Sequence, residues 1–280
     1  MKEEVAIIGA GQMGSGIAQV FATAGFCVRV YDISKQMLNL ARVRIRDSLN
    51  KLHEKGSVTE PVEDITFRID YFYELEDLSG CKIFIESAFE DFDIKTNILY
   101  KLSQYAGPDS FIASNTSSLS ITSLSKMLRY PDKFLGFHFM NPPPLMDLIE
   151  VIRGFHTSDS TFQFFMNLAR TIKKVPISCK NTPGFVLNRI LILMINEAVC
   201  TLYDGTSSAE QIDETMKLGA NHRMGPLALA DLIGLDTVLS ILKNLKKESG
   251  NDKYTPCPLL QQYVRQGRLG RKSKKGFFEY

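Results

Sequence analysis

Val5-Ala6-Ile7-Ile8-Gly9-Ala10-Gly11-Gln12-Met13-Gly14 is the stretch that decides the fold class. Its first four residues form a short apolar, β-branched run, which reads as a buried strand. Gly9, Gly11 and Gly14 follow at once as G-x-G-x-x-G and open a helical stretch, Met13–Ala24. The spacing has a physical reason. The first glycine permits a tight turn, the second lets backbone approach a pyrophosphate, and the third lets helix pack closely on strand. An anion then meets free N–H groups at the helix N-terminus. A bare glycine motif is weak, but here Asp32 ends the next apolar run, Val28–Tyr31, at the distance where a carboxylate accepts from ribose hydroxyls. The expected dinucleotide site comprises Gly9, Gly11, Gln12, Met13, Gly14 and Asp32. Asp32 would repel a 2′-phosphate and so favours NAD. Lys35 lies within reach of such a phosphate, which leaves NADP disfavoured rather than excluded.

Outward from this motif, short runs at Ile83–Glu86 and Phe111–Ala113 alternate with helix-length segments at Lys35–Glu54 and Ile94–Tyr105. That alternation predicts a parallel sheet with right-handed crossovers. Runs at Lys133–His138, Leu148–Ile152 and Lys174–Ser178 extend it, with a helix around Thr161–Thr171. After Pro183-Gly184 strand signals stop. Helices are expected around Ala198, over Ala209–Leu218, over Leu227–Lys247 and near Leu259–Gln266. The expectation is an α/β Rossmann-type N-terminal domain with a mostly parallel sheet (1–183), followed by an all-α C-terminal domain (184–280).

Bulk composition excludes several classes. With 33 basic and 31 acidic residues the net charge is +2, which gives no reason to expect nucleic acid. Cys27, Cys81, Cys179, Cys200 and Cys257 are odd in number and never spaced as C-x-x-C, so neither a metal site nor a disulfide framework is expected. Reduced thiols fit a reducing compartment. No apolar stretch approaches the roughly 18 residues that a membrane span requires, and the apolar run after Lys2, Glu3 and Glu4 is too short for a secretion signal. A cytoplasmic protein is the expectation.

Oxidising a secondary alcohol by hydride transfer needs a base for the hydroxyl proton, and histidine suits neutral pH. His53, in a charged helix, and His156, in a polar segment, read as surface residues. His138 ends the apolar run Phe134–Phe137 and precedes Met140-Asn141-Pro142-Pro143-Pro144, at a strand end where α/β sites lie. Glu150 sits in the apolar run Leu148-Ile149-Glu150-Val151-Ile152 and needs a partner if buried. A His138–Glu150 pair satisfies both, against the alternative of a satisfied core histidine and an unrelated carboxylate. Ser114-Asn115-Thr116-Ser117-Ser118 follows another strand. It reads either as a ligand-facing cluster or as a cap, through Ser117 or Ser118, for a helix over Leu119–Lys126. Arg44, Ser48, Lys51 and Lys55 fall on one helical face, which would suit an anionic phosphate or be simply solvated.

Six stretches together resemble the 3-hydroxyacyl-CoA dehydrogenase family across nearly the whole chain. They are GAGQMGSGIAQ (9–19), SNTSSLSI (114–121), GFHFMNPPPLMDLIEVIRG (136–154), TPGFVLNRIL (182–191), MKLGANHRMGPLALADLIGLD (216–236) and LGRKSKKGFFEY (269–280). The length is most like the bacterial 3-hydroxybutyryl-CoA branch. The resemblance implies hydride transfer between NAD(H) and a short 3-hydroxyacyl-CoA or its 3-keto form, acetoacetyl-CoA in reverse, in a homodimer. It implies that His138 is the acid–base, oriented by Glu150, and that Ser117 and Asn188 hold the substrate's 3-oxygen and thioester region. It implies NAD contacts from Glu90, Lys95, Asn115, Ser117, Asn141 and Lys272, and coenzyme A contacts from Ser48, Lys55 and Lys95.

Three positions depart from the family pattern. Arg223 stands where proline is usual, Lys274 where glycine is usual, and Asp147 where a basic residue is usual. Two other readings stay open: a related dehydrogenase acting on a free hydroxy acid or sugar acid, and a non-catalytic NAD-binding protein. The basic face on Lys35–Glu54 argues against the first, and His138, Glu150 and Ser117 argue against the second.

Overall fold

The apolar runs of the first half can satisfy their backbone groups only by pairing with one another, and in the computed structural model, which describes residues 4–280, they do so in a single sheet. Its strands are β1 (Glu4–Ile8), β2 (Cys27–Tyr31), β3 (Ile69–Phe72), β4 (Ile83–Glu86), β5 (Phe111–Ser114), β6 (Phe134–Phe139), β7 (Leu148–Arg153) and β8 (Val175–Lys180). The order is β3-β2-β1-β4-β5-β6-β7-β8. All neighbours are parallel except β6 and β7, which run antiparallel. The chain reverses direction across β1, placing β2 on one side and β4 on the other, so a crevice opens at the carboxyl ends of β1 and β4. The edge strand β3 carries no marked apolar run and was not expected.

The crossovers are α1 (Gln12–Thr23), α2 (Lys35–Glu54), α3 (Val62–Thr66), α4 (Phe92–Tyr105), α5 (Ile121–Ser125) and α6 (Asp159–Thr171). Helix α2 buries Leu38, Ala41, Ile45 and Leu49 at helical spacing and is capped by the Ser34 hydroxyl accepting from the Met37 amide. The core between sheet and helices includes Ile7, Ile17, Phe21, Val30, Ile85, Leu135, Phe137 and Phe165. The cap of α5 falls to neither Ser117 nor Ser118: the helix starts only at Ile121, so Ser120 caps it by accepting from the Ser123 amide, and the Ser117 and Ser118 hydroxyls lie against Glu90.

The chain divides between Thr182 and Pro183 into two compact units. The second holds α7 (Leu187–Tyr203), α8 (Ala209–Ala220), α9 (Pro226–Ile233), α10 (Leu235–Ser249) and α11 (Pro258–Arg265). The single helix expected over Leu227–Lys247 is two, broken at Gly234, whose φ of +100° no helix admits. Its core includes Ile192, Ile195, Leu227, Val238, Leu242 and Leu260. Two buried carboxylates organise it. Asp213 accepts from the Leu227 and Ala228 amides at 2.8 and 2.9 Å, capping α9; burial raises its pKa, opposed by those bonds. Asp231 accepts from the Phe277 and Phe278 amides, both at 2.9 Å, and from the Tyr280 hydroxyl, pinning the tail.

Lys274 takes φ +58°, the left-handed conformation that glycine would adopt freely. The turn in the tail is therefore held with strain on one exposed side chain. Lys274→Gly is expected to raise stability by about 0.5–1 kcal/mol, a partial relief after the flexibility that glycine adds to the unfolded chain. Calorimetry of the purified protein checks this; an unchanged or lower Tm removes the argument. Asp147 lies beside Lys174, whose ammonium donates to the Met146 carbonyl at 2.8 Å. Burial lowers the Lys174 pKa and Asp147 opposes that shift. Arg223 lies exposed on the bend ahead of α9.

All five cysteines are free thiols. Burial pushes Cys81 up to about 11, and burial with its neighbour Cys257 pushes Cys200 up to about 12, so both are protonated and unreactive at neutral pH. Among the described residues no helix is long and apolar enough to cross a membrane, and no metal-binding group of His, Cys, Asp and Glu forms.

Candidate active site

Most candidate functional groups of the N-terminal unit lie at strand ends or in the segments that follow them. At the end of β1, Gly9 turns at φ +103° against the Ser87 carbonyl, where a Cβ would lie 2.6 Å from oxygen. Gly14 lies so close to the same turn that a Cβ would meet the Gly9 carbonyl oxygen at 1.8 Å. Gly11 is the opposite case: nothing lies within 4 Å of its would-be Cβ. It caps α1 without a side-chain bond and faces open space, so a bare backbone cradle sits at a helix N-terminus, where a pyrophosphate fits. Asp32 accepts from the Ala10 amide at 2.8 Å and the Ser34 amide at 2.9 Å. It therefore clamps the glycine turn to the end of β2. Lys35, which could have met a 2′-phosphate, instead lies 4.1 Å over the Tyr73 ring. Gln12 donates to the Asn141 side chain at 3.1 Å, bridging this turn to the proline loop.

His138 and Glu150 are direct cross-strand partners in the antiparallel β6–β7 pair. Their side chains share one face, and His138 Nδ1 lies 2.8 Å from Glu150 Oε2. Glu150 is 1% exposed and His138 7%. The Cys179 thiol, from β8, approaches the other Glu150 oxygen at 3.8 Å. His53 and His156 lie exposed.

The polar segment after β5 is held by acidic groups that come from β4 and the loop after it. Asn115 Oδ1 accepts from the Phe139 amide at 2.8 Å, tying the segment to the residue beside His138. Glu90 Oε1 accepts from Thr116 Oγ1 and the Ser117 amide at 2.7 Å, and lies 3.0–3.2 Å from the Ser117 and Ser118 hydroxyls and the Ser118 amide. Burial pushes the Glu90 pKa up, but the Lys95 ammonium and the Thr116 and Ser117 donors outweigh it, so the net shift is downward.

Lys95 corrects an expectation. It is not a surface cation available to coenzyme A: it is 1% exposed, with its ammonium 2.7 Å from Glu86 and 3.5 Å from Glu90. Sequence reasoning missed Glu86, which is fully buried and also accepts from Ser114 Oγ at 2.5 Å and the Ala88 amide at 2.7 Å. A carboxylate closing an apolar strand was the available signal. Ser48 is half-buried on α2, and Arg44, Lys51 and Lys55 lie exposed along the same face. Asn188 in the first turn of α7 and Lys272 in the tail belong to the helical unit, where Lys272 pairs with Asp236 at 2.5 Å.

A family model described as "3-hydroxyacyl-CoA dehydrogenase, NAD binding domain" matches residues 4–182, and one described as "3-hydroxyacyl-CoA dehydrogenase, C-terminal domain" matches residues 184–280. The chain belongs to the 3-hydroxyacyl-CoA dehydrogenase family. As a member it is an NAD-dependent oxidoreductase, and the glycine turn, Asp32 and the crevice beside them fit that cofactor. A probable 3-hydroxybutyryl-CoA dehydrogenase of Deinococcus radiodurans is 48% identical over 98% of this chain and 99% of its own. A 3-hydroxybutyryl-CoA dehydrogenase of Bradyrhizobium diazoefficiens is 46% identical over 99% and 95%. The crystal structure of an (S)-3-hydroxybutyryl-CoA dehydrogenase from Ralstonia eutropha superposes with a TM-score of 0.96 at 45% identity, covering 100% of this chain and 99% of that one.

Proposed function

We propose that this dehydrogenase interconverts a short 3-hydroxyacyl-CoA, 3-hydroxybutyryl-CoA foremost, and its 3-keto form, with His138 as acid–base. The carrying observation is the buried His138–Glu150 contact at a strand end on the ligand face of the sheet. Bound NAD would supply the acceptor for the hydride that leaves substrate C3. His138 Nε2 takes the hydroxyl proton, and in reduction returns it. Glu150 holds the ring by Nδ1 and favours the imidazolium that forms. Within the N-terminal unit, Ser117 holds the 3-oxygen, with Asn115, Glu90, Asn141 and Gln12 around the cofactor. The test is an initial-rate assay with acetoacetyl-CoA and NADH, repeated with NADPH and with longer 3-ketoacyl-CoAs. Absence of acetoacetyl-CoA turnover in folded protein would remove the reading.

The exposed cations of α2 support a coenzyme A contact at Lys55, which caps the helix about two turns beyond Ser48. Lys55→Glu should raise the apparent KM for acetoacetyl-CoA by about five- to tenfold, since one surface ion contact is worth on the order of 1 kcal/mol and the reversal adds repulsion. The KM for NADH should not move. An unchanged acyl-CoA KM at low salt would count against the contact.

A homodimer through the helical unit is also proposed. Ile190 is 64% and Leu218 78% exposed, and Leu232 and Tyr203 are also open. Such apolar surface favours a partner. Light scattering at micromolar concentration should give twice the chain mass; a strict monomer removes the proposal.

A further inference from the structure

We propose that Glu86 is a positioning residue for the hydride-transfer site: it acts through Lys95, Glu90 and Ser114 to set the conformation of Ser117. The inference rests on the reading of Ser117 as a substrate-holding residue. Glu86 closes β4 with no exposed surface, so its charge must be matched within the protein. One oxygen takes Lys95 Nζ and the Ala88 amide, both at 2.7 Å; the other takes Ser114 Oγ at 2.5 Å. Lys95 Nζ also donates to the Ala88 carbonyl at 3.2 Å and lies 3.5 Å from the second oxygen of Glu90. The remaining Glu90 oxygen gathers donors from Thr116, Ser117 and Ser118. The segment 114–118 is thus gripped at both ends by one chain of charges. Ser114 is held by Glu86 directly, and Ser117 by Glu90, whose own place is set by the ammonium that Glu86 anchors.

A buried ion pair with no role beyond the fold would look the same in any single variant, since removing one partner leaves an uncompensated charge. The distinction is in coupling. Residues acting through one contact are non-additive, whereas independent effects multiply. Glu86→Gln preserves shape and removes the charge. At saturating NADH it should lower kcat for acetoacetyl-CoA on the order of tenfold or more in the otherwise unchanged enzyme. In a Ser117→Ala background, already slowed, the same substitution should lower kcat by less than about threefold. Equal fold losses in the two backgrounds would overturn the inference, as would an unaltered kcat in folded Glu86→Gln. Should Glu86→Gln fail to fold, Ser114→Ala serves in its place. It removes one Glu86 partner, keeps the ion pair, and should show a smaller loss that again disappears beside Ser117→Ala; additivity there overturns the inference equally. If Ser117→Ala itself loses no activity, the substrate-holding reading of Ser117 fails and the Glu86 proposal falls with it. A slowed Ser117→Ala with additive losses removes the Glu86 proposal alone.

Discussion

Glu150→Gln should lower kcat by about 10²–10⁴-fold while leaving NADH binding intact, and His138→Gln should lower it at least as much. The geometry makes the two residues one device. They face each other across β6 and β7 in direct register, with Nδ1 and Oε2 2.8 Å apart in a setting that admits almost no water. A carboxylate there selects the tautomer whose Nε2 can accept a proton, and stabilises the imidazolium once it has done so. The glutamine amide can still touch the ring, but it offers no charge to the imidazolium and, through its NH₂, can invert the tautomer. The double variant should be little slower than the slower single variant, because a base without its orienting partner is already impaired. Multiplying losses would mean that the residues act separately, and the dyad reading would be wrong. NADH affinity, followed by fluorescence titration, separates this from a general collapse of the site.

That pair was legible because its signals are local: a histidine ending one apolar run and a carboxylate inside the next, joined by a short proline-rich turn that leaves antiparallel pairing as the simplest connection. Glu86 bears the same signature, an acid at the end of Ile83-Phe84-Ile85, yet nothing in its neighbourhood names its partner. Lys95 lies on the helix that follows, and only the fold folds that lysine inward. The same limit explains Ser117 and Ser118. Their position before a helix reads as either a ligand-facing cluster or a cap, but the helix starts only at Ile121, Ser120 takes the cap, and Glu90, 27 and 28 positions away, captures their hydroxyls and amides. In the helical unit, apolar spacing runs unbroken from Leu227 to Leu245. Periodicity cannot register the positive φ of Gly234, so one helix was expected where two form. The glycine turn was the most legible feature, since each of its residues answers a separate steric demand.

Those demands predict that the three glycines fail in two different ways when each is replaced by alanine. At Gly14 the new methyl would meet the Gly9 carbonyl oxygen at 1.8 Å, backbone against backbone, and only separation of α1 from β1 relieves it. Gly14→Ala should therefore unfold or severely destabilise the N-terminal unit, by several kcal/mol, in the range of the largest single-residue effects. Gly9→Ala combines φ +103° with a 2.6 Å approach to the Ser87 carbonyl oxygen and should behave alike. Gly11→Ala is different in kind. Its φ of −66° suits any residue and its Cβ meets nothing within 4 Å, so the protein should fold with an unaltered Tm. The open space is where the pyrophosphate must come against bare backbone. Affinity for NADH should accordingly fall on the order of 100-fold, the loss expected when a methyl blocks close backbone approach to a charged group worth about 3 kcal/mol of hydrogen bonding. Calorimetry with NADH titration on the three variants reads both quantities. Normal NADH affinity in Gly11→Ala would place the pyrophosphate elsewhere, and a fully stable Gly14→Ala would mean that the turn is looser than its contacts state.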